Sequence, residues 1–196
     1  MMSYFSFSYS APIMTMRLLE FSLTEIQIGF VFGITSVFFI VFCFVVSYIP
    51  KGIEKRVIIE ISLIMLAVSA LFLGPSQILH FPESLLLICI GQMLRGAFFA
   101  TLLIPIMGEM IESATLKIDG SETSINDKCS AIFNASLGVG NVVSPIFGAF
   151  LESISNYKLT NDAVALLFLV IAAVYYGACS LPEAIRISRW SSPVHQ

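Results

Sequence analysis

Five stretches of this chain are almost free of Asp, Glu, Lys and Arg. Each is close to the roughly 20 residues that a helix needs to cross a hydrocarbon core about 30 Å thick. Helix is the structure that fits, because backbone groups in lipid must be hydrogen-bonded within their own segment. The alternating strands of a transmembrane barrel do not occur. The predicted spans are residues 28–49, 57–73, 85–107, 129–151 and 163–181.

Composition excludes the main alternatives. Charged residues make up 12% of the 196 residues, against roughly 25% in a soluble domain, which needs a polar outer shell. A net charge of -3 provides no basic surface for nucleic acid. We therefore predict an all-α, multi-pass transmembrane helix bundle that forms one domain over residues 1–196, with the lipid bilayer as its solvent.

The amino-terminal segment allows two interpretations. Residues 4–16 carry no charge but are short of a full span, and Arg17 follows the apolar run. A signal peptide has its basic residues before that run. The segment is either the end of a helix, which makes it a partial first span, or an interfacial segment.

The loops predict the orientation, because Lys and Arg accumulate on the cytoplasmic side of a membrane protein. The loops on one side of the membrane hold seven of these residues and the loops on the other side hold two, while Arg95 lies inside a span. The carboxy-terminal tail, residues 183–196, is therefore predicted to be cytoplasmic, and residues 152–162 to face the lumen or exterior. The seven are Lys51, Lys55, Arg56, Lys117, Lys128, Arg186 and Arg189; the two are Arg17 and Lys158.

Arg95 is the first candidate site residue, because it lies near the middle of its span. A charge at that depth costs about 2.5–3.5 kcal/mol on insertion scales, so it must face protein, water or a ligand. Gln92 lies one turn earlier on the same face, and Pro105 later in the span can free backbone carbonyls. Two roles stay open: binding a solute, or pairing with a carboxylate on another helix for assembly.

The span 129–151 carries small residues at every fourth position, on one stripe of the helix. Small residues let a neighbouring backbone come close, and a proline within the stripe bends the helix. Asn141 lies at a depth similar to that of Arg95, and it serves either a solute site or an interhelical hydrogen bond. The stripe consists of Ser136, Gly140, Ser144 and Gly148, with Pro145 inside it.

Polarity also predicts which spans face lipid. The spans 57–73 and 163–181 have few polar residues and are expected to face lipid, whereas the other three line an interior. The predicted cavity-lining residues are Thr35, Gln92, Arg95, Asn134 and Asn141. The four cysteines and two histidines have no metal-binding or redox spacing, and no motif of an enzyme occurs. We therefore expect no metal, no cofactor and no enzymatic activity.

Residues 140–149, with the sequence Gly-Asn-Val-Val-Ser-Pro-Ile-Phe-Gly-Ala, resemble the Gly-x-x-x-Gly-Pro-x-x-Gly-Gly antiporter motif of the major facilitator superfamily. Ser144 and Ala149 replace two glycines and so preserve size. Residues 73–82, followed by Arg95-Gly96 and Pro105, look like the region of the ninth and tenth helices in the vesicular amine and polyamine transporter branch. The resemblance covers about residues 21–182.

The resemblance implies that the chain is the carboxy-terminal half of such a transporter, helices seven to twelve. The family's basic cytoplasmic loop motif, Asp-Arg-x-Gly-Arg-Arg, is reduced here to Lys55-Arg56. In the family a second half covers the cavity, so a second half or a homodimer is the expected partner.

Two functional hypotheses follow. The chain is half of a transporter that moves a small polar solute by alternating access, with proton antiport as one option. Alternatively, it is a non-transporting membrane subunit or a transporter remnant with a structural role. The sequence does not decide between a vesicular or other endomembrane location and the plasma membrane.

Overall fold

The computed structural model of the chain describes residues 8–49, 54–74, 76, 84–116 and 121–180. Within these residues the fold is built from helices alone, which confirms the predicted all-α bundle. Five of the helices are long and apolar enough to cross a membrane. The helices are α1 (Ser10–Glu20), α2 (Glu25–Ser47), α3 (Lys55–Leu73), α4 (Leu85–Thr115), α5 (Glu122–Ile154) and α6 (Tyr157–Tyr175), which continues as a π-helix over Tyr176–Ser180.

The helices run up and down, so their ends gather at two ends of the bundle. The end where α3 begins and α4 finishes is called the Lys55 end, because Lys55 pairs there with Glu112 of α4. The opposite end is called the Tyr157 end, because the Tyr157 hydroxyl of α6 donates to the Leu73 carbonyl oxygen of α3. The predicted tail, residues 183–196, and the beginning of the predicted segment 4–16 lie outside the described residues.

Local sequence explains where three helices begin. Ser84 and Ser121 accept hydrogen bonds from the backbone N–H groups of Leu86 and Ser124, as residues that cap a helix amino terminus do. Before α2, the Gln27 side chain accepts from the Thr24 backbone N–H at 2.9 Å, which is half of a capping box. These bonds satisfy backbone donors that have no partner within the helix.

The long helices α4 and α5 extend beyond the predicted spans. They have 31 and 33 residues, and at 1.5 Å per residue they are about 46 Å and about 50 Å long, well over a hydrocarbon core of about 30 Å. Helix α4 also continues through Pro105 without interruption. The predicted span ends at residue 107 because Glu109 and Glu112 follow, but helix formation does not require an apolar environment.

Two groups of buried apolar side chains hold the bundle together. One joins α3, α4 and α6, with Leu66, Leu102 and Phe168 at 0–1% exposure. The other joins α1 and α2 to the Tyr157 end of α3 and α4, and includes Met14 and Leu18 of α1. Helix α1 is thus packed within the bundle and does not lie flat on its surface.

Spans 57–73 and 163–181 are expected to face lipid, but they are not the most exposed helices of the bundle. In their most apolar windows, α3 and α6 are 44% and 39% buried, whereas α2 and α5 are each 17% buried. Helix α3 packs on both α4 and α6. In a membrane, apolar side chains are stable both against lipid and in the protein interior, so low polarity does not indicate which helix faces lipid.

Candidate functional site

Helix α4 carries the polar residues at the centre of the bundle. Gln92 and Arg95 are three residues apart, so they share one face of the helix. Their exposed fractions are 0% and 2%, and Arg95 is the largest side chain that is almost fully buried among the described residues. A permanently charged guanidinium is therefore held inside protein at the depth predicted for the middle of the span.

Gln92 connects Arg95 to a second helix. The Arg95 Nη2 donates to Gln92 Oε1 at 2.5 Å, and the Thr35 hydroxyl of α2 donates to the same oxygen. The amide nitrogen of Gln92 lies 2.9 Å from the Met14 sulfur, and Arg95 Nη1 donates to the Ser10 hydroxyl, both on α1. We call these five residues the Arg95 cluster. It joins α1, α2 and α4 through one side-chain amide.

A glycine lets the two helices approach closely enough for this arrangement. Gly96 follows Arg95 directly, and a methyl group in its place would overlap the carbonyl oxygen of Thr35. The backbone of α2 therefore rests on Gly96 while the Thr35 side chain reaches Gln92. Such close contact between two helix backbones is typical of small residues at helix crossings in membranes.

A second set of polar contacts extends from this region toward the Tyr157 end. The Tyr9 hydroxyl donates to Asn161 Oδ1 at 2.8 Å, and Asn161 Nδ2 donates to the Tyr157 carbonyl oxygen at 2.8 Å. Tyr9 precedes Ser10 of the Arg95 cluster, so the two sets meet on α1. Asn161 is 1% exposed. These bonds tie α1 to the first turns of α6.

Sequence reasoning missed Tyr9, Ser10, Tyr157 and Asn161. It placed residues 152–162 in an outer loop, whereas α6 begins at Tyr157 and buries Thr160, Asn161 and Asp162. The available signal was the spacing of Tyr157 and Asn161, which are one helical turn apart directly before an apolar span. Polar residues at that position suit the first turn of a helix as well as a loop.

The predicted cavity residues divide into two groups. The structure brings Thr35, Gln92 and Arg95 together, but in the interior, where the sequence analysis expected an open cavity. Asn134 and Asn141 lie apart from them, exposed on α5. Asn141 Oδ1 accepts from the Ser8 hydroxyl at 2.7 Å. The two asparagines are seven residues apart, so they share a face of α5 that no described helix covers.

The stripe of small residues on α5 packs against α1. Gly140, Ser144 and Gly148 are buried, and a Cβ atom at Gly148 would lie 2.5 Å from the Tyr9 carbonyl oxygen. Ser136 and Pro145 are partly buried, and Ala149 is exposed beside the stripe. The stripe thus fixes the segment of α1 that supplies Tyr9 and Ser10.

Lys55 and Arg56, predicted to lie in a cytoplasmic loop, are the first two residues of α3. They form ion pairs with the extension of α4: Lys55 with Glu112 at 2.5 Å, and Arg56 with Glu109 at 2.7 Å. The two ion pairs connect α3 and α4 at the Lys55 end, outside the apolar part of either helix.

In chemical terms the Arg95 cluster suits anion recognition. A guanidinium presents several N–H groups in a planar fork that matches carboxylate and phosphate oxygens. In the conformation described here the cluster is closed to the outside. Among the described residues, no group of three His, Cys, Asp or Glu side chains could hold a metal ion.

Comparison with known proteins adds no relative. No protein family, curated protein or solved structure matches the chain significantly.

Proposed function

We propose that the chain is a six-helix unit of a secondary transporter, which moves a small polar solute by alternating access. One observation carries the proposal: three helices form a charged, hydrogen-bonded cluster around Arg95, which lies near the middle of the predicted span 85–107. A charge at that depth is costly and is typical of solute and ion pathways in membrane proteins. Transporters commonly bind their solutes near this plane.

The uncovered face of α5 supports a partner unit. Asn134 and Asn141 lie on the outside of the described bundle, within the predicted apolar span 129–151. Asn141 accepts a hydrogen bond from Ser8, but an amide such as that of Asn134 costs several kcal/mol where it meets hydrocarbon without hydrogen bonds. A second unit covers this face in our proposal; it is provided by another chain, by a second copy or by a further part of the same polypeptide.

The chemistry of the cluster favours an anionic or zwitterionic solute. Arg95 supplies positive charge at the centre, whereas the carboxylates of Glu109 and Glu112 lie near the Lys55 end. The resemblance of residues 140–149 to an antiporter motif makes proton exchange the first form of coupling to test. A partner unit that contributes carboxylates would reverse the preference for anions.

The decisive experiment is flux through proteoliposomes. We expect uptake of an anionic or zwitterionic solute by the unmodified protein and loss of at least tenfold in Arg95→Gln. Lys128→Gln removes one positive charge from an exposed position near the start of α5 and is the matched control. Loss of cation uptake alone in Arg95→Gln would contradict the proposed charge preference, and flux by a strictly monomeric species would contradict the proposed two-unit assembly.

The proposed orientation places the Lys55 end in the cytoplasm. The seven-to-two distribution of Lys and Arg supports it. A glycosylation site inserted near residues 117–120 should remain unmodified, whereas one inserted at Ser155 should receive a sugar. The opposite pattern would reverse the orientation.

A second candidate function is a non-transporting membrane subunit. The complete burial of Gln92 and Arg95 favours it, because a cluster closed on all sides also serves as a structural connection. This function predicts no flux for any solute, together with a large loss of thermal stability in Arg95→Leu. A transporter unit predicts flux in the unmodified protein.

A further inference from the structure

A cavity of about 400 Å³ opens at the Tyr157 end, between the last turns of α1, the end of α5 and the start of α6. Its volume is within the range of small-molecule sites, about 300–1,000 Å³. The cavity is separate from the Arg95 cluster, and no residue predicted from the sequence as a site lines it.

Charged side chains of both signs line the cavity. Arg17 of α1 and Lys158 of α6 are positive, whereas Glu20 of α1 and Glu152 of α5 are negative. Three of the four are partly buried at the cavity wall, and Glu20 is exposed at its rim. A cavity with both signs suits a ligand that itself carries both signs.

The positive side of the cavity is held in place. The Arg17 guanidinium bonds to the Glu20 carboxylate three residues further along α1 and lies 5.8 Å from the centre of the Phe21 ring. A cation over an aromatic face is attracted by the ring quadrupole. The guanidinium is therefore oriented before any ligand arrives, and an oriented group loses little entropy on binding.

Glu152 differs from Glu20, because among the described residues it has neither a hydrogen-bond partner nor an ion-pair partner. Its carboxylate is partly removed from water at the cavity wall. A ligand ammonium group would give this carboxylate an ion-pair partner, which it lacks among the described residues.

We propose that this cavity binds a small zwitterionic group, with its ammonium at Glu152 and its carboxylate or phosphate at Arg17 and Lys158. Two sources share this chemistry: a free amino-acid-like solute, and a zwitterionic lipid headgroup, since the cavity lies at the end of the apolar helices. The proposal concerns binding, and it holds whether or not the chain transports.

Two lining residues connect the cavity to the contacts between the helices. They are Ile13 and Tyr157. Ile13 also packs beside Gly148, and Tyr157 is hydrogen-bonded to Leu73 and to Asn161. A bound zwitterion would therefore touch Ile13, which packs α1 against α5, and Tyr157, which bonds α6 to α3.

The test uses the full-length protein in phosphatidylglycerol nanodiscs, which contain no zwitterionic lipid. Calorimetric titration compares L-alanine and glycerophosphoethanolamine with the singly charged propionate and ethylamine. We expect one zwitterion to bind once per chain and at least tenfold more tightly than either singly charged probe. Tighter binding of L-alanine would identify the ligand as a free solute. Tighter binding of glycerophosphoethanolamine, with competition by phosphatidylethanolamine, would identify it as a lipid headgroup.

Two variants connect binding to the cavity. Glu152→Gln should lower the affinity for the zwitterion at least tenfold, because it removes the counter-ion for the ligand ammonium. Met16→Trp should block the opening of the cavity without altering its charge. Glu25 lies at the same end but outside the cavity, so the Glu25→Gln variant should bind the zwitterion as tightly as the unmodified protein does. Equal binding of zwitterions and singly charged probes, or unchanged affinity in a Glu152→Gln variant that melts normally, would overturn the proposal.

Discussion

Helices α4 and α5 share several sequence features but have different surroundings. Both exceed 30 residues, both contain an internal proline, and both carry glycines and amides within their predicted spans. In its most apolar window α4 is 56% buried, whereas α5 is 17% buried. Helix α4 contacts α2, α3 and α5, whereas α5 is buried mainly along one stripe. The same residue types therefore stabilise the interior in α4 and remain on the outside in α5.

The largest expected effect comes from the glycine that joins α4 to α2. Gly96→Ala places a methyl group against the Thr35 carbonyl oxygen, where backbone must move. Overpacking of this kind costs about 1–3 kcal/mol and occasionally more. We expect a clear drop in melting temperature and in the yield of monodisperse protein. The control is Gly138→Ala in α5, where nothing lies within 4 Å of the added methyl group; equal losses in both variants would contradict the difference between the helices.

Polar residues give the second test. Gln92→Leu removes the oxygen that accepts from both Arg95 and Thr35, and leaving buried donors without a partner costs about 1–3 kcal/mol. Asn141→Leu changes an amide on the outside of α5, so we expect a smaller effect than for Gln92→Leu. Thermal denaturation in one detergent measures both. A larger loss from Asn141→Leu would show that α5 carries the more important amide.

The stripe on α5 gives an intermediate effect. Gly148→Ala puts a Cβ atom 2.5 Å from the Tyr9 carbonyl oxygen, so α1 must shift and the bond from Tyr9 to Asn161 should weaken. We expect destabilisation of about 1 kcal/mol, because fewer contacts hold α1 than hold α4. Protection of α1 amides from hydrogen exchange should fall as well. Protection as in Gly138→Ala would mean that α1 does not depend on this contact.

The ion pairs at the Lys55 end should have the smallest effects. Arg56 and Glu109 are 26% and 22% exposed, whereas Lys55 and Glu112 are 44% and 62% exposed. Glu109→Gln should cost about 1 kcal/mol at most, and Glu112→Gln little that is measurable, because exposed pairs are screened by water and salt. Melting at low and high salt measures both. A strong salt dependence that disappears only in Glu112→Gln would reverse this order.

Several elements of the fold were predictable from residues alone. The five spans are set by the absence of charge, because lipid excludes unpaired charges over a fixed thickness. Arg95 and Gln92 were identifiable as a pair since their spacing places them on one helix face. The burial of Gly148 followed in the same way from a stripe of small residues. These predictions rest on local periodicity and on the cost of moving polar groups into hydrocarbon.

Only the tertiary structure decided which helices are internal and which partners the polar residues take. Lipid and protein interior are both apolar, so hydrophobicity did not show that α3 packs between α4 and α6. The partners of Arg95 come from α1 and α4, and Ser10 precedes it by 85 residues. Contacts over such separations depend on how complete helices cross, and Gly96 and Gly148 determine how closely they can do so.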